Sequence, residues 1–172
     1  TAYNPDFPAE AHLRSLVKDE LQDKLEFITV NLNEEELAQL YRSADIAVTP
    51  TMGEAFCQSI LEAMACGTPV LVTEYSGHID YCKPAGYYPI CVKRKVLAHY
   101  GLFDVNCGSV WVEPSVEHLA QQLRGCFYGP KDYAELDAKY AAKWVHENMT
   151  WKRQAESCIK AINHFLETPK DI

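Results

Sequence analysis

Two glutamates, Glu54 and Glu62, bracket the run Ala55-Phe56-Cys57-Gln58-Ser59 within the segment GEAFCQSILEAMACGTPV. Residues of these types at this spacing could recognise an activated sugar. A diphosphate is held by unpaired N–H groups at the start of a helix, where the helix dipole adds positive charge. Carboxylates on either side could accept hydrogen bonds from hydroxyls, from the vicinal pair of a ribose at one end and from a sugar at the other. This chemistry assigns Phe56 to Ser59 to the first turn of a helix and Glu54 to the loop before it. Glu62 then lies two turns deeper, about 9 Å along the axis from Phe56. Spacing alone leaves an ordinary alternative open, with Glu54 a favourable charge near a helix start and Glu62 a surface residue of an amphipathic helix. Against it, Glu62 is followed by Ala63, Met64, Ala65 and Cys66 and so interrupts an apolar helix, where a buried carboxylate needs partners.

Such a site needs a strand, a loop and a helix in that order. Asp45 to Thr49 (DIAVT, closed by Pro50) and Thr68 to Thr73 (TPVLVT) read as near-continuous apolar strands, with an apolar helical segment from Phe56 to Ala65 between them. That is a strand–helix–strand unit of a parallel sheet, and the fold class expected is α/β, a doubly wound open parallel sheet with helices on both faces. Ligands of such sheets bind at the carboxyl ends of the strands, which is where Thr51 to Cys57 falls. Upstream, Ala9 to Asp23 has helical spacing, Leu25 to Val30 (LEFITV) reads as a strand, and Asn33 with Glu36 forms a capping box for a helix to Ser43. Downstream, Pro89 to Val92 reads as a short strand, and Lys93 to Gly108 has no clear period and reads as a surface insertion. Helices follow from the cap Ser115 to Phe127, from Ala134 to Asn148 and from Thr150 to Leu166.

The 172 residues suit one domain spanning residues 1–172. A net charge of −8, from 24 acidic and 16 basic residues, argues against nucleic acid as a partner, although a single nucleotide can still bind at a helix terminus. The seven cysteines are scattered without metal-ligand or disulfide spacing and read as free thiols of a reducing compartment. No apolar run is long enough for a transmembrane segment. The opening Thr1-Ala2-Tyr3-Asn4-Pro5 has neither the basic start and apolar stretch of a signal peptide nor a starting Met. The expectation is a cytoplasmic protein from which upstream residues have been removed. His12, His99, His118, His146 and His164 form no metal-like constellation, and Tyr75-Ser76-Gly77-His78 reads as the loop after the next strand, with His78 placed to cap the helix that follows.

With these residues in view, the sequence resembles the retaining glycosyltransferases of the GT-B fold, family 4. The resemblance is carried by Glu54 and Glu62 with EAMACGTPVLV, and by the preceding LAQLYRSADIAVTP; it covers roughly Leu25 to the C-terminus, loosely after Tyr81. It implies a Rossmann-like domain that is the C-terminal half of a two-domain enzyme. By resemblance Glu54 contacts the donor sugar and is the candidate catalytic residue, the amides of Ala55, Phe56, Cys57, Gln58 and Ser59 hold the diphosphate, and Glu62 takes the ribose hydroxyls. The loop Val30-Asn31-Leu32 matches the family's nucleobase contact, and by resemblance the loop Tyr75-Ser76-Gly77-His78 faces the sugar-proximal end of the cleft. The donor implied is a nucleotide sugar, GDP-mannose or a UDP-sugar, used without cofactor or metal, and the absence of an Asp-x-Asp motif fits this. The acceptor, the N-terminal domain that holds it and the Arg and Lys that neutralise the leaving diphosphate are implied to lie outside this chain. One departure stands out: the family shows glycines where Ala55 and Cys57 stand here. A nucleotide-sugar epimerase or phosphorylase on the same fold, a non-catalytic nucleotide-binding module and a ligand-free interaction domain are the competing expectations.

Overall fold

The computed structural model describes residues 8–98 and 108–167. The chain opens with α1 (Ala9–Ser15) and a 3₁₀ turn (Asp19–Lys24), followed by α2 (Glu34–Ser43), β1 (Ala47–Thr49), α3 (Gln58–Ala65), β2 (Val70–Thr73), α4 (Ile79–Ala85) and β3 (Tyr88–Ile90). A hairpin of β4 (Val92–Leu97) and β5 (Val110–Pro114) precedes α5 (Val116–Tyr128), α6 (Lys131–Asn148) and α7 (Trp151–Glu167).

The three strands β1, β2 and β3 lie side by side in chain order, all parallel, with Ala47 opposite Val70 and Leu71 opposite Tyr88. The α/β, Rossmann-like parallel architecture expected from the sequence is therefore the one observed. All four residues of β2 are buried, as the central strand of a parallel sheet requires. The core gathers Ile60, Ala63 and Met64 of α3, Val70 and Val72 of β2, Tyr81 and Cys82 of α4, and Ala141 and Val145 of α6. His146 of α6 adds a bond from Nε2 to the Ala65 carbonyl at 3.0 Å, fastening α6 to the end of α3.

Local chemistry fixes the helix ends. The Asn33 side chain accepts from Glu36 N–H at 2.9 Å while the Glu36 carboxylate accepts from Asn33 N–H at 2.8 Å, the reciprocal capping box read from the sequence. At the end of α3, Gly67 at φ +78° lets its N–H reach Met64 O while Thr68 N–H reaches Ala63 O, each at 3.0 Å, which closes the last turn and returns the chain to the sheet. Ser115 caps α5 by accepting from His118 N–H.

Several expectations are corrected. Ala9 to Asp23 is not one helix but α1 followed by a separate 3₁₀ turn. Leu25 to Val30 forms no strand: no described segment pairs with it, and Ile28 and Val30 remain 49% and 70% exposed. An apolar run becomes a strand only when a neighbour takes up its hydrogen bonds. Lys93 to Gly108 is not wholly irregular either, since Val92–Leu97 pairs antiparallel with Val110–Pro114; residues 99–107 of that insertion lie outside the described residues. So does Cys107, whereas the other six cysteines are free thiols. Among the described residues no helix is long and apolar enough to cross a membrane, and no group of His, Cys, Asp and Glu could hold a metal ion.

Candidate functional site

The carboxyl ends of β1 and β2 lead into two loops, residues 50–57 and 74–78, and these are held together by one serine. Ser76 Oγ accepts from Glu54 N–H at 3.1 Å and donates to Glu54 O at 2.6 Å, and Gly77 N–H donates to the same carbonyl at 3.0 Å. The approach is close enough that Gly77 has no room for a side chain: a Cβ there would stand 1.9 Å from Ala55 O. Ser76 itself adopts φ +85°, a left-handed conformation kept by these bonds. The clasp fixes the backbone of Glu54. Its half-buried side chain accepts from the Thr51 hydroxyl at 3.4 Å.

The start of α3 differs from the expected one. The first turn does not begin at Phe56; Cys57 is the N-terminal cap residue at φ +59°, ψ +67°, and the helix begins at Gln58. The hold comes from Tyr81, whose hydroxyl sits 2.8 Å from both Phe56 O and Cys57 O, sharing its one proton between them where the chain turns just before the helix. Phe56 leans on the Tyr81 ring, with centroids 5.4 Å apart, and stays 45% exposed. Burial pushes the Tyr81 phenol upward, so it remains a donor at any pH the protein meets. Cys57 has no capping side-chain bond, and the first amides with partners are Ile60 and Leu61, both on the Cys57 carbonyl. The Gln58 and Ser59 amides therefore have no acceptor among the described residues. Amides left free at a helix start are the groups that favour an anion.

A left-handed backbone at a buried residue with a Cβ costs about 1–2 kcal/mol relative to glycine. Cys57→Gly is thus expected to stay within about 1 kcal/mol of the parent, the relief being offset by a looser unfolded chain. Cys57→Val, β-branched at the same angles, is expected to lose about 2 kcal/mol. Urea unfolding checks both; equal midpoints for the two variants would show that Cys57 carries no such strain.

Glu62 lies one turn into α3 rather than two. Gln58 Nε2 donates to its Oε1 at 2.8 Å, and Tyr41 of α2 donates its hydroxyl to Oε2 at 3.3 Å. The Tyr41 phenol is pushed up to about 12, first by burial and then by the Glu62 charge, so this donor too stays protonated. The half-buried carboxylate thus has the partners that its position in an apolar helix demanded. The Thr68 hydroxyl donates to Tyr41 O at 2.6 Å, which places the C-terminal end of α2 beside the amino edge of the sheet. Val30, Asn31 and Leu32 lead into the opposite end of that helix, with Val30 and Asn31 exposed and Leu32 half-buried.

His78 does not open to the cleft; it is the N-cap residue of α4, as the sequence allowed, although its side chain makes no capping bond. It is fully buried, with Nε2 donating to Thr73 O at 2.8 Å and Nδ1 lacking a partner. Sequence reasoning picked out the loop containing Ser76 and Gly77 but missed its clasp on Glu54, and it missed Tyr81 altogether; the Ser-Gly pair after a strand is the one local signal of that turn.

Known proteins are similar to this chain over part of its length. An uncharacterised glycosyltransferase of Methanocaldococcus jannaschii is 44% identical over 139 residues, which is 79% of this chain and 30% of that protein. A D-inositol 3-phosphate glycosyltransferase of Pseudarthrobacter chlorophenolicus is 41% identical over 68 residues, 40% of this chain and 16% of the relative. Another, from Paenarthrobacter aurescens, is 52% identical over 42 residues, 24% of this chain and 10% of its own length. The chain thus spans less than a third of the length of each of these relatives. The family model described as "Glycosyl transferases group 1" matches residues 8–138, which takes in α1 to α5, both clasped loops, Glu54 and Glu62, and on that match the chain belongs to the group 1 glycosyl transferases.

Proposed function

We propose that this chain is the donor-binding, C-terminal part of a retaining glycosyltransferase of the GT-B fold, family 4, acting in the cytoplasm without a metal ion or cofactor. The observation that carries the reading is the uncapped start of α3 between two carboxylates that are already held by neighbours. The diphosphate of a GDP- or UDP-sugar takes the amides around Gln58 and Ser59, with Ala55, Phe56 and Cys57 forming the turn that presents them. Glu62 accepts the ribose hydroxyls, kept in place by Gln58 and Tyr41. Glu54 receives hydroxyls of the sugar, and Val30, Asn31 and Leu32 meet the base. The acceptor is held on a second, N-terminal domain across the cleft, so residues 1–172 act as one donor domain and transfer no sugar alone.

Calorimetric titration of the chain with GDP, UDP and ADP tests this, with saturable binding of at least one expected. Glu62→Gln exchanges charge-assisted hydrogen bonds for neutral ones, and a loss of ~1.5–3 kcal/mol corresponds to roughly ten- to a hundredfold weaker binding. An unchanged dissociation constant would remove the ribose role from Glu62. Failure of all three nucleotides to bind would sink the donor-site reading altogether.

A further inference from the structure

The β4–β5 hairpin stands outside the parallel sheet, yet it grips both loops of the candidate site. Val112 N–H donates to Met52 O at 2.9 Å, joining β5 to the loop after β1. The Tyr75 hydroxyl donates to Val110 O at 3.0 Å, joining β5 to the loop after β2. Between these bonds the half-buried indole of Trp111 lies against Gly53, where a Cβ would come within 3.1 Å of Cδ1 and 3.5 Å of Nε1. Val112, next along the strand, is fully buried and anchors the hairpin end.

Gly53 immediately precedes Glu54. Its N–H donates to Thr51 Oγ1 at 3.2 Å, and the same hydroxyl lies 3.2 Å from Gly53 O and 3.4 Å from Glu54 Oε1. Any shift of Gly53 therefore moves the anchor of the Glu54 carboxylate as well as the backbone that carries it. The indole is rigid and touches backbone rather than a side chain that could give way. We propose that Trp111 is a positioning residue for Glu54, setting through Gly53 where its carboxylate stands and hence the preference for a sugar-bearing nucleotide over the free diphosphate. This rests on the reading of Glu54 as the sugar contact. The distinction lies in directionality: hydrogen bonds to fixed hydroxyls weaken steeply when the acceptor is misplaced, whereas diphosphate bonding to the α3 amides does not pass through Gly53.

The test measures dissociation constants of GDP, GDP-mannose, UDP and UDP-glucose for the parent chain and for Trp111→Ala, Trp111→Phe, Gly53→Ala, Glu54→Ala and the Trp111→Ala/Glu54→Ala double variant. Trp111→Ala is expected to weaken the preferred nucleotide sugar about tenfold while leaving its diphosphate within about twofold, with Trp111→Phe recovering part of the loss. Gly53→Ala, which pushes the indole without removing it, should give a smaller loss in the same direction and guards against a misfolded Trp111→Ala. In the Glu54→Ala background the Trp111 change should add nothing, because its effect travels through the carboxylate. Equal weakening of sugar and diphosphate, or additive losses in the double variant, would overturn the positioning role while leaving the donor site intact. A parent chain that binds none of the four nucleotides would overturn the donor site and the positioning role together.

Discussion

Replacing Gly77 with alanine is expected to cost roughly 3 kcal/mol of stability and to open the donor site. The new Cβ would stand 1.9 Å from Ala55 O, 2.9 Å from Ala55 C and 3.3 Å from Glu54 O, all backbone atoms with no rotamer to escape into. Loops 50–57 and 74–78 must then part, and with them go the Gly77 N–H bond to Glu54 O and the paired bonds of Ser76. Each of those bonds contributes about 1 kcal/mol net. Chemical denaturation of the variant measures the loss, and a midpoint equal to that of the parent would show that the two loops are not clasped in solution. Ser76→Ala offers a milder comparison, removing the hydroxyl without forcing the backbones apart.

Glu54→Ala should act on transfer rather than on folding. On the proposed function, a protein pairing this domain with an acceptor domain should lose about a hundredfold in transfer, because the sugar would lose charge-assisted hydrogen bonds worth ~1.5–3 kcal/mol as its anomeric carbon approaches the transition state. Free nucleoside diphosphate should bind the isolated domain within about twofold of the parent, since the proposed site gives the diphosphate to the α3 amides instead. Equal loss of both ligands would merge the two roles that are here assigned to separate ends of the site. The same longer protein is expected to retain the anomeric configuration, and product of inverted configuration would contradict the family 4 assignment. Transfer by the 172-residue chain alone would contradict its role as half of a cleft.

What could be read from the residues was what is decided locally. The Asn33–Glu36 capping box, the apolar strands around Val48 and Leu71, the Ser115 cap and the glycine stop at Gly67 involve partners at most five residues apart or runs with a single burial pattern. The failures are non-local. LEFITV has the composition of a strand, but strand formation depends on a neighbour that composition does not specify. β4, reading VKRKVL, is mostly exposed and rich in cations, and becomes a strand only through its pairing with β5. The onset of α3 slipped by two residues because Cys57 takes a conformation more usual for glycine, under the hold of Tyr81, which lies 24 residues away. The Ser76–Glu54 clasp spans 22 residues and left no periodic trace. For the site, the carboxylates were visible as types and spacing, whereas the groups that orient them were not.

The last helix bears on how all these variants are to be measured. No residue of α7 is buried, although Trp151, Ile159, Ile162, Phe165 and Leu166 line it with large apolar groups. At 17 residues it is only slightly longer than the helices that are marginal alone in water. It is tied to α6 near its start, where Arg153 donates to Glu147 O and Gln154 to Asn148 O, and its ellipticity is expected to fade ahead of the cooperative melting of the sheet and its packed helices. A single transition fitted to total helicity would mix two thermodynamic units, whereas Trp144, half-buried against the core on α6, reports the cooperative one.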